Sequence, residues 1–473
     1  MLVLALLASA CQRRPDTTAV VVSAIGEPPI LGDASRRSRD TASRLFADSV
    51  AQGLVRFDAA GQIEPGLAER WTVLDDGTSY IFRLRESIWA DGSPVTADQI
   101  VASLRRQIRP SSRNPLLPFL SAIDEIVVMT PQVIEIRLSR PRPDLLKLFA
   151  QPELGLIRVG RPSGSGPFRV ADGGYAPLLR PALDLDRDPE EADDARPEHD
   201  VQLIGERAAR AVARFAARDS DFVTGGTFRD WPLVAAAAIA PASVRIDQAA
   251  GLFGLAVVDR SGFLGAATNR LAVSQAIDRA GLAAAMGIGW EAVDRLLPEP
   301  LDSDAPPVVP AWTLLTPGQR VAGARAQVAR WPGPVRLRIA LPSGPGATLV
   351  WGRVAASLIA IGIAPERVAA DAPADLRLID AVAPYDSARW YLATACVVCG
   401  EAASNALEAA RLAPTLAARG RAIAEADRAL DADAAFIPLA RPFRWSLVAQ
   451  RLVQFQPNAR AWHPLNRLRR DTR

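Results

Sequence analysis

The stretch from Gly66 to Val101, GLAERWTVLDDGTSYIFRLRESIWADGSPVTADQIV, constrains the fold more tightly than any other part of the chain. Trp71-Thr72-Val73-Leu74 is strand-prone and stops at Asp75-Asp76-Gly77. An Asp-Gly pair between two apolar runs predicts a hairpin, because both residue types tolerate the positive φ that a tight turn needs. Ser79 to Arg85 resumes with alternating Tyr80, Phe82 and Leu84, the period of a half-buried strand. A second break at Ala90-Asp91-Gly92-Ser93-Pro94 is followed by Thr96-Ala97-Asp98-Gln99, which sets a hydroxyl ahead of Ile100, Leu104 and Ile108 at helical spacing. A threonine in that place accepts an otherwise unpaired N–H of the first turn. The predicted order is strand, turn, strand, turn, capped helix.

A chain of 473 residues exceeds one ordinary domain, so two or three lobes are expected. Hydrophobic residues at 49% and charged residues at 23% describe a globular protein, and a net charge of +3 is too small for a nucleic-acid footprint. Lys147 is the only lysine, which excludes a Walker A phosphate loop and lysine-dependent Schiff-base chemistry elsewhere. Met1 to Ala10 is apolar and too short to span a bilayer, which takes about twenty residues. With Ala8, Ser9 and Ala10 ahead of Cys11, residues 1–11 read as a lipoprotein signal ending at a lipid-modified Cys11; a plain secretory leader is the competing reading.

Along the chain, strands are expected at Thr18 to Ile25, Ile123 to Val128, Val133 to Leu138, Gly254 to Val258, Val335 to Leu341, Leu376 to Ile379, Arg389 to Val398 and Phe436 to Leu439. Helices are expected at Thr41 to Gln52, Glu206 to Ala217, Asn269 to Arg279, Thr316 to Arg330 and Thr348 to Ile361, with a long helical stretch from Glu401 to Leu430 broken near Pro414 and Gly420. Leu271, Ala272, Ala276 and Ile277 recur at core-facing spacing. Asp184 to Asp200 is acidic and proline-containing, a solvated loop carrying His199. Alternating strands and helices predict α/β lobes with mixed sheets.

Several segments carry a resemblance. Pro65 to Trp71, Asp75 to Arg85 and Asp91 to Ile100 match approximately PGLAESW, DDGLTYTFxLR and DGxPVTAxDV; Ser163 to Val170 is similar to a G-T-G-P-Y turn, and Asn269 to Arg279 to V-R-Q-A-L-A-Y-A-I-D-R. In these the chain resembles family 5 of the bacterial extracellular solute-binding proteins, the receptors of dipeptide, oligopeptide and nickel ABC importers. The resemblance implies an α/β, two-lobed periplasmic binding protein of the class II type with an additional subdomain on lobe I. Lobe I would comprise 18–52, 155–252 and 443–473, the subdomain 53–154, and lobe II 253–442, with hinge strands near Gly254 to Val258 and Phe436 to Phe443. It further implies a monomeric receptor, not an enzyme, that closes on a peptide or other small solute and delivers it to ABC permease and ATPase subunits. No cofactor, metal or nucleic acid is expected, and the membrane would be engaged through the lipid anchor.

Tyr385-Asp386-Ser387-Ala388-Arg389 resembles the Y-D-V-A-R of oligopeptide receptors, whose arginine lies in the ligand cavity. Arg389 is therefore the first candidate ligand residue, its guanidinium fork suiting a carboxylate or carbonyl; a surface arginine on an edge strand is the alternative. Trp390 and Tyr391 are candidate cavity walls, of which a strand would turn only one to a given face. The aspartate with which those relatives hold a peptide ammonium is replaced here by Ala395, and Asn114-Pro115-Leu116 stands where they read S-P-Y. An unpaired buried ammonium is costly, so either Glu401 substitutes or the solute is not a peptide, for example a glycoside or an opine-like compound. Glu401 also reads simply as a favourable charge at a helix start. Cys396 and Cys399 form a C-x-x-C that fits a local disulfide in an oxidising compartment, with a periplasmic thiol oxidoreductase as the competing reading. Zinc would need two more ligands, and His199 and His463 are the only histidines. Ser165 lacks a G-x-S-x-G setting and reads as a turn residue.

Overall fold

The computed structural model describes residues 17–36, 40–142, 144–158, 163–171, 174–182 and 197–469. Cys11 with its leader and most of the acidic run after Asp184 lie outside them.

Two mixed sheets organise the molecule. The first has seven strands in the order Val244–Gln248, Phe443–Val448, Phe222–Gly226, Val20–Ile25, Val201–Glu206, Leu178–Pro181, Phe168–Ala171. Its centre is the run VVVSAI, paired in parallel with both neighbours and almost wholly buried, the composition a strand covered on both faces requires. The second sheet has five strands in the order Ile363–Ala369, Val335–Leu341, Leu376–Val382, Gly251–Val257, Phe436–Ala440. The helices Pro345–Ala360 and Ala267–Ala276 pack with this second sheet through Val350, Val354, Leu358 and Val273.

The chain passes between the two sheets twice, from Gln248 to Gly251 and from Ala440 to Phe443. The crossings are tied together, since Ala249 N donates to Pro442 O at 3.0 Å. Residues Gly254 to Val257, near which a hinge strand was expected, pair within the second sheet with Leu376–Ile379 on one side and, through Gly254 to Ala256, with Phe436–Pro438 on the other.

A four-stranded antiparallel sheet, Ala68–Leu74, Ser79–Leu84, Val133–Leu138, Ile123–Thr130, carries the hairpin. Leu74 pairs with Ser79 around the turn, and Asp75 and Asp76 take φ of 51° and 52°, the left-handed region that short polar residues tolerate. The inner face is Tyr80, Phe82, Ile134 and Ile136, with the Phe82 ring edge-on to Phe149 at 5.8 Å. The helix Ala97–Ile108 follows with a full capping box: Thr96 Oγ1 accepts from Gln99 N at 3.3 Å and Gln99 Oε1 accepts from Thr96 N at 3.2 Å.

Several expectations fail, three of them for identifiable reasons. Residues Ala388–Ala395 form a helix where a strand was expected, and the cause lies far away in sequence: Asp302 caps the first turn by accepting from Ala388 N at 2.7 Å. A short apolar run has no period that decides between the two states, so such a distant cap is invisible to pattern reading. Glu206 ends a strand rather than starting a helix, because its buried carboxylate accepts from Ser23 Oγ at 2.7 Å; the helix begins at Ala208. Gly420 does not break its helix, which runs Leu416–Asp433; a Cβ there would meet Asp304 N at 3.3 Å, so glycine serves close packing. Leu271 is 39% exposed, whereas Ala272, Ala276 and Ile277 are in the core. His199 is half-buried. Among the described residues no helix is long and apolar enough to cross a membrane.

Candidate functional site

The helix Ala388–Ala395 starts at the junction between the sheet-bearing lobes, and its position is set by charge. Asp302 bonds Ala388 N, accepts from Ser387 Oγ at 2.9 Å and pairs with Arg419 Nη2 at 2.7 Å. A proline-rich loop thus supplies the anion that the helix N-terminus and the Arg419 guanidinium both require.

Across the junction stands the segment Arg142–Gln151. Lys147 Nζ pairs with Asp386, which also pairs with Arg460. Gln151 Nε2 donates to Pro384 O at 2.6 Å, Arg142 Nη2 donates to Arg411 O at 2.9 Å, and the Phe119 and Tyr385 rings meet edge-on at 5.6 Å. On the other flank Gly346 N donates to Arg229 O at 2.8 Å and the Phe228 and Phe253 rings lie 4.9 Å apart. The lobes are therefore shut on each other on both sides. Between them remains a cavity of about 10 Å³, bordered by Phe119, Arg142, Asp144, Asp302, Tyr385 and Arg419. One water needs roughly 10–15 Å³, so this cavity as it stands has no room for a solute.

Positive charge is in surplus here. Arg142 is buried, and among the described residues its guanidinium is bonded to the carbonyls of Pro141 and Arg411. Burial, reinforced by Arg419, Arg140 and Arg389, pushes its pKa down to about 9. Arg389 is also held below the usual guanidinium range by burial, and its Nε is buried with no hydrogen-bond partner. Among the described residues neither Arg142 nor Arg389 is paired with a carboxylate, while burial raises the pKa of neighbouring Asp144. An oxygen-rich or acidic group is the chemistry that would satisfy such guanidiniums.

Of the residues singled out from sequence, Arg389 lies at this junction. Trp390 and Tyr391 lie behind it in the core, their rings edge-on at 5.0 Å, and burial pushes the Tyr391 hydroxyl up to about 12. Ala395 is fully buried on the same helix, and Glu401 is exposed as the first residue of the helix Glu401–Leu412. Cys396 and Cys399 are joined as a disulfide with Cα atoms 5.3 Å apart, bracketing exposed Val397 and Val398. Asp302, Arg142 and Arg419 escaped sequence reading because each belongs to a different segment and no local pattern links them. Lys147 was visible as the lone lysine, yet nothing in sequence ties it to Asp386. Among the described residues no group of three or more His, Cys, Asp and Glu is arranged to hold a metal.

Comparison with known proteins gives the lineage. Residues 62–324 match the model described as bacterial extracellular solute-binding proteins, family 5 Middle. The probable deoxycholate-binding periplasmic protein YgiS of Escherichia coli K12 is 38% identical over 90 residues, 19% of this chain and 17% of that protein. The glutathione-binding protein GsiB of Escherichia coli K12 is 29% identical over 145 residues, 28% of each. The matched segments thus span less than a third of these relatives. The structure of the Escherichia coli murein tripeptide binding protein MppA superposes with a TM-score of 0.78 at 18% identity, covering 94% of this chain and 97% of that one, which establishes the two-lobed fold. With more than half of its length inside the family model, the chain belongs to family 5 of the bacterial extracellular solute-binding proteins.

Proposed function

We propose that this protein is the extracytoplasmic substrate-binding component of an ABC importer, capturing a peptide or peptide-like solute between its lobes by hinge closure and handing it to a permease. The observation that supports this is the pair of guanidiniums at the lobe junction, Arg142 buried and Arg389 half-buried with its Nε unpartnered, neither paired with a carboxylate among the described residues, beside the two chain crossings that a hinge would use. Ligand contacts made only in the closed form shift the open-to-closed equilibrium, and a carboxylate or backbone carbonyl facing Arg389 is such a contact. In this reading lobe I comprises 18–52, 155–252 and 443–473, the subdomain 53–154, and lobe II 253–442. The protein acts as a monomer without catalysis, held to the membrane by lipid on Cys11 and served by cognate permease and ATPase subunits.

A second reading, a non-peptide acidic solute, draws on Ala395. It is fully buried on a helix, so its position carries no carboxylate for a peptide ammonium, and Glu401, the other candidate for that role, is exposed at the start of its own helix. The name of YgiS, a probable deoxycholate-binding protein, is in keeping with such a solute.

Native mass spectrometry of the protein from its source should reveal a co-purified solute, and titration of that solute into Arg389→Ala and Arg142→Ala should weaken binding at least about tenfold, the scale of a charged hydrogen bond. Unchanged affinity in both variants would remove the junction as the site.

A further inference from the structure

A second recess lies away from the lobe junction. It is a groove of about 580 Å³ between the end of the strand Ser79–Leu84 and the turn Ser165-Gly166-Pro167 that leads into Phe168–Ala171. That volume falls in the range of small-molecule sites, roughly 300–1,000 Å³. All of the lining comes from the first sheet's side and the four-stranded sheet, with none from 253–442, so the groove does not depend on lobe closure.

Four arginines and two glutamates line it. Arg83 is paired with Glu69 at 2.8 Å, and Arg56 with Glu64, outside the groove, at 2.7 Å. Among the described residues no carboxylate is bonded to Arg85 or Arg169. Arg169 donates to the carbonyls of Gly166 at 2.8 Å, Phe168 at 3.3 Å and Ile88 at 3.3 Å. The Arg85 guanidinium, among the described residues, donates to Gln52 Oε1 at 3.3 Å. Gln52, itself buried, donates its Nε2 to Ser165 O at 2.7 Å, so Arg85, Gln52, Ser165, Gly166 and Arg169 form one connected polar rim. Within it the Ser165 hydroxyl is buried and has no hydrogen-bond partner. A buried hydroxyl without a partner costs stability, and two guanidiniums beside it that bond only neutral oxygens among the described residues mark a place suited to oxygen acceptors. Glu86, exposed on the same wall, sets the opposite sign and disfavours a ligand with charge along its whole length.

We propose that this groove is a second ligand site for a small organic oxyanion, a carboxylate or phosphate ester, held by Arg85 and Arg169 with Ser165 donating its hydroxyl.

Titration calorimetry of the full-length protein at low salt, with citrate, glucose 6-phosphate and uncharged glucose as probes, tests it. At least one anion should bind with Kd below about 1 mM while glucose does not, and binding of whichever anion responds separates the carboxylate from the phosphate source. Arg85→Gln alone, a change at an exposed side chain, should weaken that binding several-fold. Arg85→Gln with Arg169→Gln should abolish it while Arg389→Ala leaves it intact. Failure of both anions to bind, or equal binding to wild type and to Arg85→Gln, overturns the site. Loss of binding in Arg389→Ala would instead assign the anion to the lobe junction.

Discussion

Asp302 is ion-paired at 2.7 Å with Arg419, a side chain only 2% exposed. The same carboxylate holds the first N–H of the helix that carries Arg389, so one loop residue neutralises a buried cation and fixes the candidate ligand arginine. Removing one partner of a buried pair costs about 3–5 kcal/mol. Asp302→Ala should therefore lower stability by that order in urea unfolding, and Asp302→Asn, which keeps an acceptor, by less. A loss under about 1 kcal/mol would show the pair to be dispensable.

Lys147 and Asp386 bridge the junction, both partly exposed. Such pairs contribute roughly 0–1 kcal/mol, too little to unfold a lobe yet enough to bias a hinge. Lys147→Ala should leave the melting temperature within error while increasing the radius of gyration in small-angle scattering of the ligand-free protein. An unchanged scattering profile would mean that the pair does not hold the lobes together.

Gly346 lies against the opposite lobe, where a Cβ would stand 1.8 Å from Phe228 O. Neither backbone can yield locally, because Gly346 N is bonded to Arg229 O. Gly346→Ala should wedge the lobes apart, giving a larger scattering radius than Lys147→Ala at unchanged helix content by circular dichroism.

Asp427 is buried, and burial raises its pKa from 3.8 to about 6 even though it accepts from Val308 N at 2.9 Å. The folded form thus keeps a proton that the unfolded chain has released, so this residue's contribution is fully present below the unfolded value near 3.8 and is lost as pH rises through about 6. Asp427→Asn removes the charge, and should match wild type in thermal melts near pH 3.5 but exceed it at pH 7.5 by up to ~3 kcal/mol. A gap that shrinks with rising pH would contradict the assignment.

The family was legible because its signature is local: the Asp75-Asp76-Gly77 turn, the Tyr80, Phe82, Leu84 alternation and the Thr96 cap each act within a few residues of themselves. The junction was not legible for the converse reason. Arg142, Asp302, Asp386 and Arg419 meet only when four distant segments pack, and the helix Ala388–Ala395 owes its cap to a residue 86 positions away. Arg389 was singled out through its Y-D-S-A-R setting and remains a candidate, whereas Trp390 and Tyr391, expected as walls, are buried because the segment is a helix instead of a strand. The groove rim was equally hidden, since Gln52, Arg85 and Ser165 share no pattern in sequence.

The two crossings have a consequence for the chain's architecture. Val244–Gln248 and Phe443–Val448 are antiparallel neighbours with Gln248 opposite Phe443, so everything from 249 to 442 is inserted where a short hairpin turn would otherwise be. Entry and exit lie side by side, joined by the Ala249–Pro442 hydrogen bond. A module attached in this way can be exchanged for a differently lined one without shifting the register of the host sheet, which lets one half of the protein change while the other keeps its strand pairing.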